Sequence, residues 1–137
     1  MKTKEFLRQY YWLDRSIRAE VERRDAWRRL AEGSPNVLRK DFGASSQGDR
    51  VSHFVAKAAD LSEIIDRRVA KLLRLKKEVV LAIDTVEDPK LNEILKRRYI
   101  DLWAWGDIAE EMGYSRRYVW ELHGEALRQV KIPAAAT

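Results

Sequence analysis

Residues 51–86 of the chain read VSHFVAKAADLSEIIDRRVAKLLRLKKEVVLAIDTV, and their spacing decides the fold. Apolar residues recur at steps of three and four through this stretch, with Arg68 as the one polar exception. The apolar positions are Val51, Phe54, Ala58, Leu61, Ile65, Leu72, Leu75, Val79, Ala82 and Val86. Because this is the spacing of one face of an α-helix, it predicts a long helix over 51–86.

The apolar surface of this helix is wider than pairing with one other helix requires. Val55, Val69 and Ile83 flank the stripe, and Leu73 and Val80 extend it on the same side. A helix that is apolar over such an arc contacts more than one partner. The C-terminal residues could pack there, or the helix could self-associate. We favour self-association and expect a homo-oligomer, with a dimer as the preferred form.

A second long helix precedes the first stretch, over about residues 4–32. Its apolar positions step by three and four, at Phe6, Tyr10, Leu13, Ile17 and Val21, and Gly33 ends it. Residues 33–50 are small and polar, which predicts a mobile loop. Residues 1–87 are therefore expected to form a long antiparallel, coiled-coil-like hairpin that serves oligomerisation.

The composition excludes several classes of function. The chain has a formal net charge of +5, no cysteine and two histidines, His53 and His123. Without cysteine there is no disulfide, thiolate zinc site or cysteine nucleophile. We find no catalytic triad, paired-carboxylate site, phosphate loop or metal motif. We therefore expect no enzyme activity, cofactor, metal or small-molecule substrate, and assign both histidines to packing or surface positions.

The sequence also favours a cytoplasmic protein without a membrane span. Residues 1–15 lack the uncharged core of a signal peptide, and the longest apolar run is 79–83. A span needs about 20 apolar residues. We expect no interaction with membranes.

The C-terminal third predicts three shorter helices. Asp88 and Pro89 are typical of a helix start, here of a helix over 89–100 that buries Leu91, Ile94, Leu95 and Tyr99. A short helix over 104–112 is ended by Gly113, and Ser115 caps a helix over 116–130. Two helices joined by a tight turn form a helix-turn-helix module, placed at 88–132, with 133–137 as a disordered tail. The predicted fold class is all-α.

The last helix suggests a surface for reading DNA. Its apolar face contains Val119, Leu122, Ala126 and Val130. The side chains opposite or flanking that face, or at the exposed N-terminus of the helix, are the candidate DNA-binding residues Arg116, Arg117, Trp120, Glu121, Gly124 and Arg128. Arginine can pair with guanine and glutamate can accept from cytosine. Arg97 and Arg98 are added as candidate phosphate contacts.

Each of these residues also has a structural interpretation. Gly124 could be a tolerated surface glycine, or it could let the helix approach a groove closely. Trp120 could simply pack at the edge of the apolar face, and Arg116 and Arg117 could be a solvated pair. Basic residues at 96–98 are favoured near a helix C-terminus by the helix dipole alone.

Several motifs together resemble a known module. They are Arg98-Tyr99-Ile100, the run from Trp105 to Ser115 (WGDIAEEMGYS), and Val119, Leu122-His123 and Ala126-Leu127. This pattern resembles region 4 of sigma-70-type factors. Placed after two long charged helices, it is similar to small phage and prophage sigma-like regulators of late or autolysin genes. The chain departs from such modules at Ala104, where Thr or Ser often caps the first helix, and at Trp120-Glu121, where Arg-Gln is frequent.

The resemblance implies a transcriptional regulator in the cytoplasm of a bacterial host. Its partners would be double-stranded promoter-proximal DNA, read by the helix over 115–130, and RNA polymerase. Two alternatives stay open. Residues 102–137 carry four basic and five acidic residues, a net charge of −1, which suits a module docking on polymerase or a phage component. A helix-turn-helix joined to oligomerising helices also occurs in small terminase subunits, which package DNA.

Overall fold

The computed structural model describes residues 2–33 and 44–133, and within those residues the chain is all-helical. The five helices there are α1 (Thr3–Glu32), α2 (Ala44–Ile83), α3 (Pro89–Tyr99), α4 (Trp105–Met112) and α5 (Arg116–Gln129). The predicted fold class is confirmed: two long N-terminal helices precede three short ones. Each of the predicted helices is present, with most ends within one residue of the expected positions.

The start of α2 is a correction to the predicted loop at 33–50. Residues 34–43 lie outside the described residues, but residues 44–50 belong to α2, seven residues before the expected start. The segment has no proline, and its one glycine, Gly48, costs only about 1 kcal/mol in a helix. Polar composition alone therefore does not interrupt a helix that the following heptads stabilise. The predicted tail at 134–137 also lies outside the described residues.

The residues cluster into two compact units. One consists of Met1–Asp14 together with Lys71–Thr137, and the other is Arg15–Ala70. The expected division at 87/88 falls inside the first unit, because the first turns of α1 and the last turns of α2 share a core with α3, α4 and α5.

That shared core accounts for much of the wide apolar surface of α2. Phe6 and Leu7 of α1 and Val79 and Ile83 of α2 are fully buried. The cluster comprises Phe6, Leu7, Leu75, Val79, Ala82, Ile83, Val86, Leu91, Ile94, Leu95, Tyr99, Ile108, Ala109, Val119, Leu122, Ala126 and Val130. Packing of the C-terminal helices on α2, the alternative to self-association, is thus realised at this end of the helix.

The unit at Arg15–Ala70 is an antiparallel pair of helical segments. Trp27 of α1 lies 5.8 Å from Phe54 near the start of α2, measured between ring centroids. At the other end, Arg68 Nη1 donates to Ser16 Oγ over 2.6 Å and lies 3.7 Å from Glu20 Oε1. Contacts between early residues of one segment and late residues of the other establish the antiparallel direction. Among the residues predicted for self-association, Val55, Val69 and Leu73 are exposed.

None of the helices in the described residues has both the length and the apolar composition that a bilayer span needs. Within the same residues no cluster of three or more potential metal-ligating side chains occurs.

Candidate nucleic-acid interface

The turn between α4 and α5 is built by three residues. Gly113 has a φ of 70°, in the left-handed region that glycine adopts without a Cβ penalty. Its N–H donates to Glu110 O over 3.2 Å, and the N–H of Tyr114 donates to Ala109 O over 3.0 Å. This pair of bonds is a Schellman motif, which satisfies the last carbonyls of α4. Ser115 Oγ then accepts from the Tyr118 N–H over 3.1 Å, as its predicted role as N-cap requires.

The inner face of α5 is buried as its spacing predicted. Val119 and Ala126 are fully buried, and Leu122 and Val130 nearly so. They pack in the core of the unit that also contains α3 and α4. Because this face is held from the first turn to the last, the opposite face is fixed in orientation and turned outward.

Arg117 and Glu121 project from the outward face. Their side chains are 90% and 60% exposed, and Arg117 Nε lies 3.4 Å from Glu121 Oε1. An exposed pair of this kind is weak, since water and salt screen it. Arg117 and Glu121 can therefore give up this ion pair and bind a ligand at little cost in free energy.

Arg116 and Arg128 lie against glycines instead of reaching straight out. A Cβ added at Gly106 would lie 2.5 Å from Arg116 Nη2, so the missing side chain provides the space that this guanidinium occupies beside α4. A Cβ at Gly124 would lie 3.8 Å from Arg128 Nη1, an ordinary contact distance. Among the described residues, no neighbour thus requires glycine at 124. Sequence reasoning missed Gly106, although a glycine in the first turn of a helix is a signal for close approach.

Trp120 satisfies parts of both interpretations. Its ring lies 5.3 Å from that of Trp105, nearly perpendicular to it, and Lys4 Nζ of α1 lies 5.4 Å from its centroid. Even so, the residue is 52% exposed. One part of the indole packs against Trp105, and the rest is exposed on the surface.

Beneath Trp120 lies a buried polar pair that the sequence did not identify. His123 is 2% exposed, and its Nε2 lies 2.6 Å from the Tyr99 hydroxyl. Burial lowers the pKa of His123 to about 4, and the nearby charges of Lys4 and Arg98 act in the same direction. Burial also raises the pKa of Tyr99 to about 12. His123 is therefore a neutral, hydrogen-bonded core residue. Of the two positions predicted for the histidines, packing or surface, His123 occupies a packing position.

Arg97 and Arg98 are held by contacts within the protein. Arg98 Nη1 donates to Trp103 O over 2.9 Å, and its guanidinium lies 4.5 Å from the Trp105 ring. Arg97 stacks on Trp103 at 4.5 Å and forms ion pairs with Glu93 and Asp101. The eight candidate residues thus form two groups: six lie on or beside α5, while these two brace the link between α3 and α4.

The outer face of α4 is acidic, in contrast to the arginines on α5. A shallow groove there is lined by Trp103, Asp107, Glu110 and Glu111. Three carboxylates repel phosphate, so this side of the module is unsuited to a nucleic-acid backbone.

Comparison with known proteins finds one family. The family described as "Protein of unknown function (DUF1492)" matches residues 43–131, about two thirds of the chain. The chain belongs to this family. The matched residues run from just before α2 to just beyond α5, so the DUF1492 match covers the whole helix-turn-helix and leaves out α1. No curated protein matches the chain. No solved structure matches it either.

Proposed function

We propose that the protein is a DNA-binding transcriptional regulator of the phage or prophage type, reading double-stranded DNA through α5. The observation that carries the proposal is the outward face of α5. It begins at a capped tight turn, rests on a packed core, and presents Arg117 and Glu121 exposed on one side. Hydrogen-bonding side chains on the exposed face of such a helix can reach base edges in the major groove.

The arginines differ in their expected roles. Arg117 is the candidate for base contact, because it is extended and its partner is weak. Arg116 and Arg128 flank it and are suited to phosphates on either side of the groove. Arg97 acts indirectly in this proposal, since its contacts with Glu93, Asp101 and Trp103 hold the link between α3 and α4 in place.

Arg117→Ala tests the reading role. We expect discrimination at one base pair to fall by about 1–3 kcal/mol, roughly 5- to 150-fold, with little change at other positions. The measurement is fluorescence anisotropy with a duplex selected from DNA around the gene, and with every single-base-pair variant of it. Arg28→Ala, which removes an exposed arginine of α1, is the matched control.

Three outcomes are distinguishable. Loss of discrimination at one base pair supports base reading by Arg117. A uniform loss of affinity for all duplexes assigns Arg117 to a phosphate contact instead. No binding by the unmodified protein at low salt would overturn the proposal.

Light scattering on the same samples separates a dimer, expected of a regulator with half-sites about 34 Å apart, from a ring of many subunits, expected of a packaging protein.

The acidic groove on α4 favours a second candidate function, docking on a basic protein surface. In the regulator proposal that surface belongs to bacterial RNA polymerase, with α4 facing polymerase while α5 faces DNA. Charge complementarity mainly raises the association rate and makes it dependent on salt.

The double variant Glu110→Gln/Glu111→Gln tests the docking face. We expect its affinity for purified bacterial RNA polymerase to fall roughly three- to tenfold, with a weaker dependence on salt. Biolayer interferometry provides both quantities, and Glu63→Gln, at an exposed position of α2, is the control. Equal binding by all three proteins would remove polymerase docking through α4.

A further inference from the structure

A cleft on the first unit is lined by residues from two separated parts of the chain. Arg8 and Tyr11 of α1 form one wall, and the end of α3 and the link to α4 form the other. The lining residues are Arg8, Tyr11, Arg98, Tyr99, Leu102 and Ala104, around a volume of about 270 Å³. The cleft has room for a small ligand group with ordered water around it.

Two arginines at this cleft lie beside aromatic rings. The Arg8 guanidinium lies 5.8 Å from the Tyr11 ring and 5.5 Å from the Trp12 ring. Arg98 is held on the other wall, bonded to Trp103 O and stacked on Trp105. Each guanidinium has five N–H donors, and Arg98 uses Nη1 to donate to Trp103 O. Because the guanidinium is planar and pre-organised, an arginine loses less conformational entropy per hydrogen bond formed than a lysine does.

The residues that line the cleft carry net positive charge. None of its six lining residues is acidic. The charges of Arg98 and Arg8 both act on Tyr99, where they oppose the burial that raises its pKa to about 12. Ala104 adds the start of α4, whose first N–H groups carry partial positive charge and have no side-chain cap.

Leu102 is held at the cleft in an unfavourable backbone conformation. Its φ is 60°, the one positive value among the described residues other than glycine. A leucine there costs about 1–2 kcal/mol, and such strain persists where surrounding contacts impose it. The Trp103 N–H donates to Arg97 O over 2.9 Å, and Arg98 binds Trp103 O, so both sides of Trp103 fix the link.

We infer that this cleft is an oxyanion site that binds a phosphate group between Arg8 and Arg98. Planar guanidinium groups match the oxygens of a phosphate and bind it by charge-assisted hydrogen bonds. The group could belong to the DNA backbone or to a free phosphorylated molecule. Binding of a DNA backbone phosphate rests on the proposed function, whereas binding of a free phosphorylated molecule does not.

Inorganic phosphate is the probe for the shared chemistry. In a ¹H–¹⁵N NMR titration at constant ionic strength, with chloride as the exchanged anion, we expect saturable shifts in the amides of Arg8, Leu102 and Gly106. Arg8→Gln should weaken phosphate binding about tenfold, since it removes a charge-assisted contact. Arg28→Gln makes the same change in charge at another exposed position of α1 and should bind as the unmodified protein does. Shifts that do not saturate, or equal binding by both variants, would overturn the site.

A salt series with duplex DNA distinguishes the two sources. If the cleft holds a backbone phosphate, the log–log salt slope of Arg8→Gln becomes shallower by about 0.9, and that of Arg28→Gln does not change. Loss of phosphate binding with an unchanged DNA slope assigns the cleft to a free phosphorylated ligand. If the protein binds inorganic phosphate but no DNA at all, the phosphate site is supported and the proposed DNA-binding function is overturned.

Discussion

Replacing Phe6 with alanine is expected to lower the free energy of unfolding by about 3–5 kcal/mol. Phe6 is fully buried in the core that the end of α2 shares with α3, α4 and α5, although it is close to the N-terminus. The substitution removes a large apolar side chain and leaves a cavity that a helix anchored on both sides cannot fill. Urea unfolding followed by circular dichroism measures the difference.

Trp12→Ala is the matched control on the same helix. It removes a larger ring, but from a residue that is 57% exposed, so we expect a change of about 0.5 kcal/mol or less. If the first turns of α1 were only a terminal extension of the hairpin, the two variants would lose similar, small amounts of stability. A large effect of Phe6 alone would show that the helix-turn-helix depends on residues more than 80 positions before it.

Local features of this fold could be predicted from the sequence because they depend on neighbours in the chain. Asp88 caps α3 through bonds to Lys90 and Leu91, and Gly113 and Ser115 act within one turn of their helices. The buried face of α5 likewise follows from a period of 3.6 residues.

The partners of the buried faces could not be predicted in the same way. Periodicity identifies a face that avoids water without identifying what covers it. The periodicity therefore places Phe6 in the hairpin, and it does not identify Leu7, which lies beside the stripe and is fully buried. The extra burial at Leu7 arises where the first turns of α1 join the core of the C-terminal helices.

The candidate site shows the same limit. The exposure of Arg117 followed from helical geometry, because it lies opposite Val119 and Leu122. The internal contacts of Arg98 did not, since they depend on a link whose path includes Leu102 in the left-handed region. His123 was recognised as bordering an apolar face, but its bond to Tyr99 joins residues 24 positions apart.

Acidification between pH 6.5 and 4 is expected to destabilise the protein through His123. Its pKa is about 4 in the folded protein, against 6.5 in an unfolded chain, so over this range the unfolded chain binds a proton that the folded protein does not. The stabilisation is thus fully present above pH 6.5 and is lost as the pH falls towards 4. A difference of this size corresponds to roughly 3 kcal/mol.

His123→Gln isolates this contribution from that of the carboxylates. The amide can still bond the Tyr99 hydroxyl, but it does not titrate, so the variant should lose roughly 3 kcal/mol less than the unmodified protein between pH 7 and 4. Urea unfolding at a series of pH values measures both slopes, and His53→Gln is the control for the same substitution at an exposed position. Parallel curves for the unmodified protein and His123→Gln would mean that His123 takes up its proton without cost. In that case the Tyr99–His123 pair would not be the acid-sensitive element beneath Trp120, and the loss of stability would belong to the carboxylates, including Asp84, whose pKa is lowered by Lys96 and Asn92.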